Sequence, residues 1–405
     1  MSAAEQAPAW LPALADDLRT RVDGMAAELL TLSHEIHGRP ELRFTEHFAS
    51  RQLVTRLTDA GFAVETGVAE LETAFRAERV FGTGGPTIAI FCEFDALPEI
   101  GHACGHNIIA SAGLGAALAV AQWLDEHGGN GRLVVFGSPG EEGGGGKVLM
   151  VDAGLLSDVD VAVMVHPAGF DAVSRTNLGR VSLEATFTGR ASHAAAAPEG
   201  GLNALDAATL LLVAIGLLRQ QLRSDSRLHA NIAEGGDSIN VIPERSRVKL
   251  FIRSPDPDYL RGRLYSALRD CVLGSALSTG TNSELVEVAP AYDPVSANPA
   301  LAELAGHAFA AAGRPIDPLT GTSGPAGSTD MGNVSQVVPA IHPYVCVAPG
   351  LAIHTRDFAT AAAGPDGDRA VLAGATVLAT TVAGLFQQPE LVERAKNEFD
   401  RVRSA

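Results

Sequence analysis

The chain has 405 residues, 46% of them hydrophobic, and a formal net charge of −17 at pH 7. That length exceeds the size at which a single hydrophobic core stops growing, so two domains are the natural expectation. The acidic balance, with no block of Lys or Arg, argues against nucleic acid or an anionic membrane as a partner.

The opening segment, up to Asp16-Asp17, has no basic stretch ahead of an apolar one and does not read as a secretory signal. No long run is apolar without a polar break; the nearest, Ala204 to Leu218, contains Asp206. A soluble, cytoplasmic protein is expected. Cys92, Cys104, Cys271 and Cys346 are too scattered to suggest a disulfide framework. Three of them sit in apolar runs as small core residues, and Cys104, beside Gly105 and His106, is the exception.

Apolar residues recur at helical spacing from Leu11 to Ile36 and from Thr45 to Ala60, with Gly61 as a stop. Buried strands are expected at Thr87 to Phe94, Arg132 to Gly137 and Val159 to Val165, with helices at Ile108 to Leu124 and Lys147 to Leu155 between them. This alternation predicts an α/β unit with a mostly parallel sheet. From Gly179 to Ala291 the pattern becomes strand, helix, two strands, helix, strand, the βαββαβ order of a ferredoxin-like α+β insert. Helices at Leu301 to Ala312 and Ala370 to Phe386 then surround a strand at Ala340 to Ala348, which should rejoin the first sheet. The expected domains are therefore 1–178 with 292–405, split by an insert at 179–291.

Polar groups follow the strands. Glu93 and Asp95 end the first run, Glu141 and Glu142 follow the second, and His166 follows the third. Open α/β sheets place ligand sites at such carboxyl ends. Gly101-His102-Ala103-Cys104-Gly105-His106-Asn107 adds a sulfur and an imidazole two residues apart, a donor set suited to zinc or a similar ion. Alone, a Cys-Gly-His reads as a buried cysteine beside a helix-capping histidine, and a Glu pair as solvated charge. Together they predict a metal-dependent hydrolase, one carboxylate holding metal and the other taking a proton.

The runs Glu93-Phe94-Asp95-Ala96-Leu97-Pro98, Gly101 to Asn107, Gly140-Glu141-Glu142 with its glycines, His166-Pro167, Ala191-Ser192-His193-Ala194 and Asn240-Val241-Ile242-Pro243 resemble the aminoacylase and glutamate-carboxypeptidase metallopeptidase family. Within it they resemble the amidohydrolase branch of auxin-conjugate, hippurate and aminobenzoyl-glutamate hydrolases and related dipeptidases. The motifs run in order from about Leu32 to Phe386. The resemblance implies a zinc-peptidase-like catalytic domain whose metal ligands are Cys104, His106, Glu142, His166 and His354. It implies Glu141 as general base, Asp95 as the acid that steadies the ligands, and two divalent ions per protomer, Zn, Mn or Co, bridged by Cys104. It makes the insert a lid and dimerisation domain, with His193 polarising the scissile carbonyl, Asn240 and Arg253 gripping substrate, and Asp330 meeting a substrate amine. Glu93 stands where most of the wider family has histidine, and Asn107 where most of this branch has aspartate. His342 is a second histidine near His354, read as a strand residue with a structural hydrogen bond.

The function expected is hydrolysis of the amide bond of a small N-acyl amino acid or dipeptide-like substrate by a homodimer. The alternatives are an aminobenzoyl-glutamate-type hydrolase, a thiol hydrolase with Cys104 as nucleophile, and a non-catalytic protein that binds a peptide or amino-acid conjugate.

Overall fold

A computed structural model of the chain describes residues 7–316 and 327–403. These fall into two compact units, one built from 7–176, 295–316 and 330–403, the other from 177–294 and 327–329.

The first unit opens with α1 (Leu11–Gly24), α2 (Ala26–His37) and α3 (His47–Asp59). One expected helix from Leu11 to Ile36 is thus two, broken at Met25, whose ψ of 4° departs from helical values after Gly24. Strands and helices then follow as β1 (Ala63–Thr66), β2 (Phe75–Phe81), β3 (Thr87–Glu93), α4 (His106–His127), β4 (Gly131–Ser138), α5 (Gly146–Asp152), β5 (Val161–Val163) and β6 (His166–Ala168).

The second unit carries β7 (Gly179–Thr188), β8 (Ser192–His193), α6 (Ala204–Leu218), β9 (Arg227–Glu234), β10 (Val241–Ile242), β11 (Arg245–Ser254), α7 (Tyr265–Thr279) and β12 (Asn282–Glu287). β7, β9, β11 and β12 form an antiparallel sheet in the order β12-β7-β11-β9. Alternate residues of β7 (Val181, Leu183, Ala185, Phe187) and β11 (Val248, Leu250, Ile252) are buried, forming one core with Leu211 and Ile215 of α6 and Leu268 and Val272 of α7. That is the period-2 pattern of a sheet covered on one side.

The chain then returns to the first unit through α8 (Pro299–Ala311), α9 (Met331–Ser335), β13 (Ala340–Ile341), β14 (Tyr344–Cys346), α10 (Arg356–Ala362), α11 (Pro365–Gln387) and α12 (Pro389–Arg403). Its main sheet is mixed, in the order β1-β2-β4-β3-β5-β13, with β4, β3, β5 and β13 parallel and β1 and β2 antiparallel at one edge. The single strand expected at Ala340 to Ala348 is two pieces: β13 joins this sheet and β14 pairs with β6. Every residue of β3 is buried, as a strand covered by layers on both faces requires.

Among the described residues three helices are long and apolar enough to cross a membrane by length and composition, although, as expected, each is interrupted by polar residues. α4 and α11 have 94% and 83% of the apolar window inside the fold, so their hydrophobicity is that of a large α/β core. The third, Ala204–Gln221, has 28% buried and exposes Leu210, Val213 and Leu217.

One buried carboxylate ties the loops beneath the site. Glu46 accepts from the backbone N–H of Phe44 (2.8 Å) and Gly140 (2.9 Å) and from the Thr73 hydroxyl (2.9 Å), joining the turn before α3 to the loop after β4. Burial, with Asp95 nearby, pushes its carboxyl up to about 7. A carboxyl raised by folding contributes stability that is fully present below the ordinary carboxylate range and lost as pH rises through about 7. Glu46→Gln should therefore gain melting temperature relative to the natural chain, by roughly 2–4 °C more at pH 8 than at pH 5; melts showing the same difference at both pH values would contradict this.

Candidate metal centre

β3, β4 and β5 end side by side, and the residues that follow them turn toward one another. Cys104 precedes α4 and is 5% exposed. Gly105 caps that helix with φ 78°, and a Cβ there would lie 2.6 Å from Pro167 Cγ and 3.2 Å from the Phe358 ring. Only glycine lets the chain turn this closely against the residue after His166. His106 then begins α4, its Nδ1–H donating to Asp95 Oδ1 at 2.9 Å. Asp95 accepts the Glu142 backbone N–H with its other oxygen, also at 2.9 Å. One carboxylate thus orients an imidazole from one loop and a glutamate from another.

Two further imidazoles reach the sulfur. His166 Nε2 lies 3.5 Å from Cys104 Sγ, and its Nδ1–H donates to the Pro167 carbonyl at 2.7 Å. His354 Nε2 lies 3.3 Å from the same sulfur and 3.2 Å from Glu142 Oε1. His354 holds a left-handed φ of 63°, uncommon away from glycine. Its N–H donates to the Ala103 carbonyl at 2.8 Å, and Thr355 caps α10 directly after it, which together fix the strained residue.

The donor atoms of Cys104, His106 and His166 all lie within 4.8 Å of one another, as do those of Cys104, Glu142 and His354. The structure therefore brings together all five residues expected as ligands, in two groups that share the sulfur. His106 Nε2 and Glu142 Oε1 are buried and make no well-formed hydrogen bond, the one 3.5 Å from Glu93 Oε2 and the other 3.2 Å from His354 Nε2, and the Nδ1 bond of His166 leaves its Nε2 with a free lone pair. Sulfur, imidazole and carboxylate with unfilled acceptor atoms fit a divalent ion at each group. Burial pushes the Cys104 thiol well above its ordinary value, so without a cation it is a neutral thiol, a poor nucleophile. Burial also drives His166 down to about 4, which keeps it neutral, the form that binds metal.

Glu141 is 8% exposed, and its carboxylate joins His106 and Glu142 in one cluster of donor atoms and Glu93 and Asp330 in another. Burial, then the charges of Glu93 and Glu142, push its pKa well above the ordinary carboxylate range, where a base working near neutrality belongs.

Other residues sit differently from expectation. Asp330, expected to meet a substrate amine, is fully buried, and the amine it meets is the chain's own: Lys147 Nζ at 2.7 Å, with the Lys147 backbone N–H at 2.9 Å. Glu93 is also fully buried, one oxygen on Lys147 Nζ and the other 3.5 Å from His106 Nε2. His342 packs against Tyr344 with its ring 5.5 Å from that of His166. Neither of its ring nitrogens has a hydrogen-bond partner among the described residues, so the structural bond expected of it is not formed.

Lys147 is the residue that motif matching missed. Its signal was compositional, because only three of the thirty basic residues are lysine. The glycine run places it: a Cβ on Gly146 would lie 1.9 Å from the Pro139 carbonyl oxygen, so only glycine lets the first turn of α5 close against the end of β4.

His193, Asn240 and Arg253 belong to the second unit. His193 Nδ1 accepts the backbone N–H groups of Ala195 and Ala196 at 3.2 and 3.1 Å, so the ring hydrogen resides on its exposed Nε2. β8 pairs with β10 there, and the Asn240 carbonyl accepts the Ala194 N–H at 2.9 Å. Arg253 donates to the Ser328 hydroxyl at 3.3 Å and faces Arg180 across the sheet.

Residues 91–383 match the model of peptidase family M20/M25/M40. The chain belongs to this family. Among curated relatives, a Xaa-Arg dipeptidase of Mus musculus is 36% identical over 396 residues, covering 94% of this chain and 90% of the mouse protein. A component of the p-aminobenzoyl-glutamate hydrolase of Escherichia coli K12 is 36% identical over 272 residues, 62% of this chain and 56% of the bacterial one. A solved structure from Bacillus subtilis, described as a dinuclear metal-binding peptidase of the M20 family, shares the fold at TM-score 0.68 and 20% identity, over 90% of this chain and 99% of that one. An aminohydrolase-like structure from methicillin-resistant Staphylococcus aureus aligns at TM-score 0.76 and 20% identity, over 92% and 99% of the two chains. The fold is thus the α/β peptidase fold of this family, with a mixed sheet and helices.

Because Asp95 fixes both the His106 ring and the Glu142 backbone, Asp95→Ala should weaken metal affinity about 10–100-fold. Competition with a chromophoric chelator measures this; an affinity equal to that of the natural chain would remove Asp95 from the role.

Proposed function

We propose that this metal-dependent amide hydrolase acts on a small N-acyl amino acid or dipeptide-like substrate, with Glu141 as its general base. The observation that supports this most is the pair of donor groups meeting at Cys104, with a buried, proton-avid carboxylate next to one of them. Cys104, His106 and His166 would hold one ion and Cys104, Glu142 and His354 a second, with zinc, manganese and cobalt all suited to these donors. Such ions, when bound, supply Lewis acidity that eases deprotonation of a water and polarises an amide carbonyl.

The chain's own residues carry the protons. Glu141 accepts one from the attacking water and returns it to the departing amine, two steps that a buried carboxyl of raised pKa can serve in turn. His193 donates through Nε2–H to the oxyanion that develops on the carbonyl, its other nitrogen being held by two backbone N–H groups. Arg253 grips a substrate carboxylate through its planar fork, and Asn240 also contacts the substrate. Asp330 is left out of substrate contact, since it is buried against Lys147.

The relatives support a small amide substrate: one is named as a dipeptidase and another as part of an aminobenzoyl-glutamate hydrolase. We assign the second unit as a ferredoxin-like lid through which two copies pair, so that His193 can serve a partner's centre. Exposed Leu210, Val213 and Leu217 on α6 and Leu273 and Leu277 on α7 support such pairing. Four free cysteines support a reducing, cytoplasmic setting.

Glu141→Ala should retain the metal content of the natural chain while kcat on N-acyl amino acids and dipeptides falls about 1,000-fold or more. Elemental analysis together with product detection by mass checks both halves. A variant that keeps most of its turnover would move the base elsewhere.

A further inference from the structure

We propose that Lys147 is a positioning residue for Glu141: its ammonium ties Glu93, Asp330 and Glu141 into one rigid cluster and so fixes where the base carboxylate stands. This rests on Glu141 being the base.

The composition makes Lys147 conspicuous. The chain has three lysines, Lys147, Lys249 and Lys396, among thirty basic residues, and the rest are arginine. Lys249 is exposed and Lys396 is 43% exposed at its side chain, whereas Lys147 is fully buried. Removing an ammonium from water is costly, and replacing a buried ion pair with apolar side chains is often neutral or stabilising. Stability alone therefore gives little reason for a lysine here. A reason of position does.

The geometry supplies one. Asp330 grips Lys147 twice, through Nζ at 2.7 Å and through the backbone N–H at 2.9 Å, which pins the start of α5 to the start of α9. Glu93, at the end of β3, takes a second N–H of the ammonium. Glu93, Glu141 and Asp330 each place an oxygen within 4.8 Å of the others, and these carboxylates raise the affinity of Lys147 for its proton against the opposing cost of burial. An ammonium has three N–H donors in a tetrahedral array; two go to Glu93 and Asp330, and we assign the third to Glu141, whose charge also raises the affinity of Lys147 for its proton. The five donors of arginine lie in one plane, whereas the tetrahedral ammonium of lysine directs its three to carboxylates that converge from different directions in space. Without this tie, like charge would push Glu141 away from Glu93 and Asp330, and displacement of a catalytic group by about 1 Å costs about 100-fold in rate.

Two variants of the full metal-loaded chain test this, with kcat, KM, metal content and melting temperature as readouts. Lys147→Met should lower kcat about 100-fold with KM within about threefold and metal content unchanged. The double variant Lys147→Met/Asp330→Asn removes one charge of each sign and keeps an oxygen for the backbone N–H, so melting temperature should recover while kcat stays low. If the single variant does not fold, the double one decides. Turnover within threefold of the natural chain in Lys147→Met, or recovery of kcat together with stability in the double variant, would show that Lys147 only balances charge. A third measurement keeps the natural lysine: in protein labelled with 15N at its three lysine side chains, Glu141→Gln should shift the Lys147 Nζ resonance and leave the other two in place. An unmoved resonance overturns the tie to Glu141 even where Glu141→Gln abolishes turnover, and so separates this proposal from the assignment of the base.

Discussion

Everything at this centre depends on one sulfur atom being within reach of imidazoles that are far apart along the chain. Cys104 Sγ meets His166, 62 residues later, and His354, 250 residues later. Each contact rests on a local condition. Gly105 must turn in a left-handed conformation against Pro167, His354 must hold a positive φ, and Asp95 must hold His106 and Glu142 at once. Such strain and close approach persist only where the surrounding structure over-determines them.

The same burial that assembles the donors sets their protonation. Carboxylates, imidazoles and a thiol sit in a space from which water is largely removed, and for Cys104, His166 and Glu141 desolvation is the largest influence on the proton. Cys104 is driven up and His166 down, and Glu141 is raised by burial and by the charges beside it. The thiol is therefore suited to a cation and not to attack on a carbonyl, while the carboxyl beside it is suited to moving protons. Lys147 is the single ammonium among these groups, and it faces the carboxylates that the metal donors leave over.

Much of the fold was legible because its parallel strands are uniformly apolar and its helices strictly periodic. The edge was not. β1 is mostly exposed, and β2 carries Arg76, Glu78 and Arg79 within seven residues, so neither has the apolar run that marks a buried strand. Its charges are answered along the strand and beyond the sheet, where Arg76 pairs with Glu78 and Asp158 and Arg79 with Asp125. The strand expected from Ala340 to Ala348 was broken by His342-Pro343, because proline offers no N–H to continue a ladder. Within the site, Cys104, His106, Glu142 and His166 stood out because together they follow successive strand ends and glycine turns, although each alone has an ordinary structural reading. Lys147 did not, since a lysine after a glycine run looks like an exposed helix start until its burial is known.

The sequence by itself determined the chemistry available: a sulfur, imidazoles and paired glutamates at strand ends, the donor set of a metal-dependent hydrolase. The tertiary structure decided which of those groups share an atom, which carboxylate is orphaned for a cation, and which is enclosed by the chain's own ammonium. The physical reason is that donor type is a property of each side chain, whereas coordination and proton affinity are properties of distance and solvent exclusion. Both arise only when residues hundreds of positions apart are packed together.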